Sequence, residues 1–222
     1  MNFTEFRKYK ISQQRKENLI ELRESVINGN INKNYLEKLK KHYEKYKDVL
    51  ILNDIDSFQE FMKQCKTNVV LLLGLEKDPI KQSIDEKLQI EWYNKKYKMN
   101  IQKLNGNGKS SLCFDIRNTE KITIKSAYGL NFGTGQRTKT FDAQSTNNKI
   151  MYYFLKFTEE SGGAQDNQIK DIEMLLKYSA MYLKQNSECK EKFVAILGGK
   201  YMKRFILKFK EKYPQIEICF MS

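Results

Sequence analysis

Two residues within one short stretch have the types and spacing for chemistry. Asp142 is the lone carboxylate of the segment TKTFDAQ (138–144), and Lys156 is the lone cation of IMYYFLKF (150–157). Between them STNN (145–148) reads as a tight polar turn, so the two arms form a hairpin. An acid on one arm and a lysine on the other can hold a divalent metal and a polarising cation over a phosphodiester. A lysine partly buried in such a place has its pKa drawn toward the working range and can orient water or offset developing charge. The purely structural alternative is that Asp142 caps a turn and Lys156 snorkels from an edge strand.

Other catalytic machinery is excluded by residue type. His42 is the only histidine, and it lies on a basic helix far from any nucleophile, so Ser-His-Asp, Cys-His and histidine-based nuclease chemistry are not available. There is no G-x-x-x-x-G-K-[ST], so no P-loop and no nucleotide cofactor is expected. The glycines of GLNFGTG (129–135) do not stand between a strand and a helix, which makes that segment a weak phosphate loop. Cys65, Cys113, Cys189 and Cys219 are far apart and form no C-x-x-C pair, which disfavours zinc and suits reduced, buried thiols in a cytoplasmic protein. No signal-peptide pattern opens the sequence and no apolar run approaches membrane length, so no membrane association is expected.

The elements that must position the pair follow from periodicity. Phe3, Phe6, Leu19, Leu22 and Val26 mark an interrupted helical stripe that stops at Asn28–Asn30. A second helix is predicted over 33–47, and a third from Ser57, where Ser57 and Glu60 form a capping box. Val69–Leu75 is a core segment that reads equally as strand or helical turn, and Asp78–Pro79 breaks the chain. Ser83 and Glu86 form a second capping box and open a helix through Tyr97. The period then becomes alternating, with an extended segment at 99–104, a turn at Asn105–Gly108, strands at 111–116 and 121–127 around a turn at Arg117–Thr119, a loop at 128–138, and hairpin arms at 139–144 and 149–158. A loop over Thr158–Asn167 leads to an amphipathic helix, Gln168–Gln185. The strand Phe193–Leu197, ending at Gly198–Gly199, the helix Tyr201–Lys212 and the strand Ile216–Phe220 complete the chain. The fold class is α/β, a mixed central sheet flanked by helices over residues 79–222, preceded by an N-terminal helical region over 1–78.

The charge points to a polyanion. Lys and Arg number 40 against 27 Asp and Glu, a net charge of +13. Residues 1–80 hold 15 basic and 12 acidic residues and residues 81–222 hold 25 and 15, so the excess lies with the candidate site. Such an excess suits phosphate neutralisation with release of counterions. Arg137, Lys139, Lys125 and Lys109 lie on the loops and strands near the pair and are candidates for phosphate contacts. In SGGAQDNQ (161–168) the two glycines permit close backbone approach. Gln165, Asn167 and Gln168 carry amides of the kind that pair with adenine, while Asp166 or Asn167 is equally a candidate helix cap.

From about residue 80 onward the chain resembles type II restriction endonucleases of the PD-(D/E)xK superfamily. FD is followed by a hairpin, an x-x-K strand, a GG loop and a helix, and FVAILGGKYMKRF (193–205) is similar to the family's strand–glycine–aromatic finish. The resemblance implies a restriction-endonuclease-like mixed sheet, Mg2+ as cofactor, and cleavage of double-stranded DNA at a short, usually palindromic site by a homodimer. It implies that Asp142 is the first strand acid, Lys156 the strand lysine and Glu86 the helix acid, with Asp85 as a competitor. The family's second acid belongs at 154, where this chain has Phe154. Glu160 is carried as its replacement in the metal set beside Asp142 and Glu86, with Glu159 and Asp166 nearby. The N-terminal helices would serve dimerisation or clamp the duplex. Phe154 also admits a non-catalytic nucleic-acid-binding protein on a degenerate nuclease fold. A third reading is a helical interaction factor with no affinity for DNA.

Overall fold

Strands rich in Val, Ile, Phe and Tyr alternate with amphipathic helices in the second half of the chain, and their burial builds a mixed sheet. The computed structural model describes residues 1–79, 84–106, 108–146, 149–160 and 162–222. The chain divides into two compact units, Met1–Arg7 with Ile84–Ser222, and Lys8–Ser83.

The larger unit is mixed α/β. Its elements are α4 (Ile84–Tyr97), β1 (Gln102–Lys103), β2 (Leu112–Asp115), β3 (Thr123–Ser126), β4 (Ala143–Ser145), β5 (Met151–Phe157), α5 (Gly163–Gln185), β6 (Lys192–Gly198), α6 (Lys200–Lys203), α7 (Ile206–Lys212) and β7 (Glu217–Met221). Five strands form one sheet in the order β1-β4-β5-β6-β7, and β2 and β3 form a separate antiparallel pair. β1, β4 and β5 run antiparallel, whereas β5, β6 and β7 run parallel. The parallel strands are connected through α5 and through α6–α7, as parallel pairing requires.

Side chains alternate between the two faces of the sheet. Tyr152, Phe154, Phe193, Ala195, Leu197 and Ile218 pack against Ile169, Ile172, Leu175 and Leu176 of α5 and against Ile206 and Phe209 of α7. On the opposite face Gln89 of α4 donates to the Ile196 carbonyl (3.2 Å), and Phe3 stacks edge-on against Phe157 at 5.4 Å. The fully buried Phe3 explains why residues 1–7 join this unit, although they begin the helix α1 (Phe3–Ile27) of the expected N-terminal region. Gly199 is required where it stands: its φ is +92°, and a Cβ there would collide with the Thr158 carbonyl. That close approach ties the end of β6 to the end of β5, with Thr158 N–H donating to the Gly198 carbonyl at 2.9 Å.

The smaller unit is helical. It holds the rest of α1, α2 (Lys33–Ile51) and α3 (Phe58–Thr67), followed by a single 3-10 turn at Val69–Leu72. Asn32 and Ser57 accept hydrogen bonds from the amides of Tyr35 and Glu60 and cap α2 and α3, as expected for Ser57. Leu22, Val26, Leu39, Tyr43, Phe61 and Leu72 form its core. His42 lies beside Tyr46 and Phe61 within this packing. All four cysteines of the chain are free. Among the described residues no helix is long and apolar enough to cross a membrane.

Three local expectations are corrected. α5 begins at Gly163, five residues before Gln168, and its cap is Gly162 rather than Asp166 or Asn167. The helix expected over Tyr201–Lys212 is two short helices, because Phe205 N–H bonds back three residues to Met202 and tightens the turn. The run Val69–Leu75 buries only Leu72 fully and leaves Val70 and Leu73 exposed, since one 3-10 turn cannot hide every side of an apolar run. The segments 111–116 and 121–127 pair with each other across the expected turn, as the antiparallel β2 and β3. Ser83 of the second capping box, Asn107 of the expected 105–108 turn, and Asn147 and Asn148 of the hairpin turn lie outside the described residues.

Candidate active site

The hairpin register determines which side chains meet. Ala143 pairs with Tyr153, so Asp142 stands just before β4, opposite Phe154 and diagonal to Lys156. The backbone of Asp142 bonds to Tyr153 (3.0 Å) and Leu104 (2.9 Å), and its Oδ2 accepts from Leu155 N–H at 2.7 Å. Its other oxygen, Oδ1, accepts no hydrogen bond among the described residues and has Lys156 Nζ at 4.0 Å. Lys156 Nζ in turn donates to Glu86 Oε1 at 3.5 Å, and Glu86 Oε2 pairs with Lys103 Nζ at 3.0 Å. Asp142, Lys156, Glu86 and Lys103 thus form a row of alternating charge along the edge where α4, β1, β4 and β5 meet.

Asp142 carries the largest electrostatic burden of the four. Its side chain is 16% exposed, and burial pushes its carboxyl from 3.8 up to about 6, against the pull of Lys156 and the Leu155 amide. Burial outweighs the lysine because the ammonium stands beyond hydrogen-bond distance. An under-compensated carboxylate with one oxygen free of donors suits a divalent cation. Mg2+ asks for one or two carboxylates and keeps its remaining positions for water and phosphate. Asp142 and Glu86 fit that donor set. Among the described residues no group of three or more acids, histidines or cysteines could hold a metal. Glu160 is exposed beyond the end of β5 and does not join Asp142 and Glu86. Glu159 instead accepts from the Lys200 amide at 3.1 Å, and Asp166 accepts from the Tyr201 hydroxyl. Asp85, the competitor of Glu86, is taken up by Arg7, whose Nε and Nη2 reach its two oxygens at 2.5 and 3.2 Å.

The hairpin and α5 enclose a cavity of about 170 Å³ lined by Asp142, Lys156, Phe154, Lys139, Gln168 and Asp171 among others. Pockets that hold whole small molecules start near roughly 300 Å³, so this one suits a single group of a larger ligand. Phe154, where the resemblance would place a second acid, is locked in the core, 1% exposed and stacked on Phe141 with centroids 5.4 Å apart.

Sequence reasoning missed Asp171, Lys103 and Gln89, and it singled out Gln168 only as an amide for base pairing, not as a wall of this cavity. Asp171 projects from α5 into the cavity and pairs with Lys139 at 3.8 Å. Gln168 accepts from the Thr158 hydroxyl at 2.9 Å. Gln89 is fully buried, and its Nε2 donates to the Lys156 and Ile196 carbonyls at 3.2 Å each, which clamps α4 to β5 one turn beyond Glu86. No local pattern marks these residues, because each reaches the site across a long sequence separation.

The remaining expected contacts are distributed unevenly. Lys139 lines the cavity. Arg137 lines an adjoining concavity together with Lys139. Lys125 is bonded to Asp115 at 2.9 Å, alongside Arg117 at 2.6 Å, and these cations hold the buried Asp115 carboxyl far below the usual range. Lys125 is therefore first a partner of Asp115. Lys109 is exposed, and its carbonyl accepts from Ser126 at 3.1 Å. Gln165 and Asn167 belong to the first turns of α5 and not to a loop, and a Cβ on Gly162 would meet Gln165 Oε1 at 2.8 Å. Neither lines the cavity. No protein-family model matches this sequence, and no curated protein matches it.

Proposed function

We propose that the protein is a Mg2+-dependent endonuclease acting on double-stranded DNA, of the type II restriction kind with a PD-(D/E)xK-like fold, working as a homodimer. The observation that carries the reading is the meeting of Asp142, Lys156 and Glu86 beside a cavity sized for one phosphate group. The net charge of +13, concentrated in the same half of the chain, supports a polyanionic substrate.

Asp142 and Glu86 would hold the metal, which supplies a Lewis acid that offsets phosphate charge and makes water a better nucleophile. Asp142 lines the cavity, and its one hydrogen bond, from the Leu155 amide, falls on Oδ2. Lys156 lies between the two carboxylates and neutralises them in the absence of substrate. With a phosphodiester bound, its ammonium offsets the charge that grows on the phosphoryl oxygens. Gln89 holds the Lys156 carbonyl, so the lysine stem starts from a fixed point. Phe154 and Ile172 form the apolar floor that limits water around Asp142. Asp171, the additional acid at the cavity wall, is in place to accept a proton from water at the phosphate.

The second reading, a non-catalytic nucleic-acid-binding protein on the same fold, is favoured by Phe154 and by the two-carboxylate donor set. Incubation with plasmid DNA separates the two. The nuclease reading expects fragments in Mg2+ and none in EDTA or with D142N. Salt-dependent DNA binding without cleavage in any divalent metal would leave the second reading, and no DNA affinity would remove both.

A further inference from the structure

The loop before the hairpin forms a second concavity, lined by Phe132, Gly133, Thr134, Gly135, Arg137 and Lys139 among others. Lys139 also lines the Asp142 cavity, so the two adjoin at one side chain. Unlike the first, the second has no carboxylate among its lining residues. Its floor is built rather than incidental. Gly133 N–H donates to Gln136 Oε1 at 2.7 Å, Gln136 N–H returns to the Gly133 carbonyl at 3.2 Å, and Gly135 takes φ +76°. The amides of Thr134 and Gly135 make no hydrogen bond among the described residues. Successive free amides on a turn of this kind make an anion-binding concavity.

The cations around it fall into two groups. Arg117 and Lys125 are committed to buried Asp115. Arg137 is paired backbone to backbone with Asp115, its guanidinium lies 6.0 Å from the Phe132 ring centroid, and Arg117 lies 5.0 Å from the same ring. The buried acid thus fixes the rim of the loop, while Arg137 and Lys139 line the concavity, with Arg137 making a long hydrogen bond from Nη1 to the Thr138 carbonyl at 3.5 Å and a contact with Cys113. Lys139 is 67% exposed, and its pairing with Asp171 is long at 3.8 Å.

We propose that this concavity is a second phosphate subsite. It holds the backbone phosphodiester next to the one at the Asp142 cavity, on the same nucleic-acid strand, through Arg137, Lys139 and the Thr134 and Gly135 amides. This rests on the nuclease reading and deepens it. The subsite grips the backbone and reads no base, so it sets register and affinity rather than sequence preference.

The test is binding of a fluorescein-labelled DNA duplex to the full chain, with Ca2+ in place of Mg2+, by anisotropy between about 50 and 200 mM salt. Variants R137Q and K139Q are compared with K210Q on α7, which lines neither concavity. R137Q and K139Q should each lower the slope of log affinity against log salt by about 1, with K210Q like the wild type. K139Q, at an exposed position, serves if R137Q does not fold. Wild-type binding with R137Q and K139Q indistinguishable from K210Q would overturn the subsite and leave the nuclease reading standing. Absence of any salt-dependent duplex binding by the wild type would overturn both. Inorganic phosphate binding that depends on Arg137, without affinity for the duplex, would also overturn the proposal.

Discussion

Replacing Asp142 by asparagine should make the protein more stable at pH 8 while removing its metal response. In the wild type, burial raises the Asp142 carboxyl from 3.8 to about 6. A group whose folded pKa lies above its unfolded pKa contributes stability below the unfolded value and loses it as pH rises through the folded one. The loss therefore develops between pH 4 and 7. At about 1.4 kcal/mol per pH unit, the interval from 3.8 to about 6 amounts to about 3 kcal/mol at pH 8. The D142N side chain keeps an oxygen for the Leu155 amide and has no proton to lose, so it escapes this cost. Lys156 retains Glu86 as a partner at 3.5 Å, so the substitution strands no cation. Urea unfolding at pH 8 should show D142N more stable by about 3 kcal/mol, with the gap shrinking to roughly 0.5 kcal/mol at pH 4. Mg2+ at ten times its dissociation constant should then add about 1.4 kcal/mol to the wild type and nothing to D142N. A D142N protein that is less stable than wild type at pH 8, or a gap that does not change with pH, would refute the reasoning. Either result would mean that Asp142 is a satisfied structural carboxylate.

The other predictions concern its neighbours. E86Q should weaken the Mg2+-induced stabilisation. D85A should leave that response intact but cost about 1–3 kcal/mol by stranding half-buried Arg7; thermal melts with and without Mg2+ distinguish the two. K156M should reduce plasmid cleavage by roughly 100-fold or more, with no rescue by K156R, whose planar group does not fit a compact ammonium site. In urea titrations K156M should also shift the pH at which wild-type stability declines upward, because the cation opposing Asp142 protonation is gone. G199A should destabilise the larger unit by roughly 3 kcal/mol or more, because it sets a Cβ at φ +92° against the Thr158 carbonyl; circular dichroism melts read this directly.

Local chemistry made the hairpin legible. The isolated Asp142, the aromatic run of β5 and Lys156 at its end are period-2 signals, and the structure brings the two side chains to one cavity. Ser57 marked the start of α3 for the same local reason. The α5 start was hidden because Gly162 and Gly163 carry loop signals, whereas the structure uses Gly162 as the cap and anchors the first turns through the Tyr201–Asp166 and Thr158–Gln168 contacts. Those contacts come from other elements and leave no trace in the window. Asp171 and Gln89 carry no mark in the sequence, because burial of a polar side chain is decided by what packs over it. The β2–β3 pairing was legible from the turn between them, but its separation from the five-stranded sheet was not, since alternation specifies a strand and not the sheet it joins.

The central claim is that Asp142 and Glu86 together hold a divalent ion at the mouth of this cavity. Crystals soaked in Mn2+ at pH 8 test it through the anomalous difference map. The prediction is a peak bonded to Asp142 Oδ1 and within reach of Glu86, with the Lys156 ammonium displaced from between the carboxylates and no such peak in D142N. A map with no peak there, with Lys156 still pairing Glu86, would contradict it.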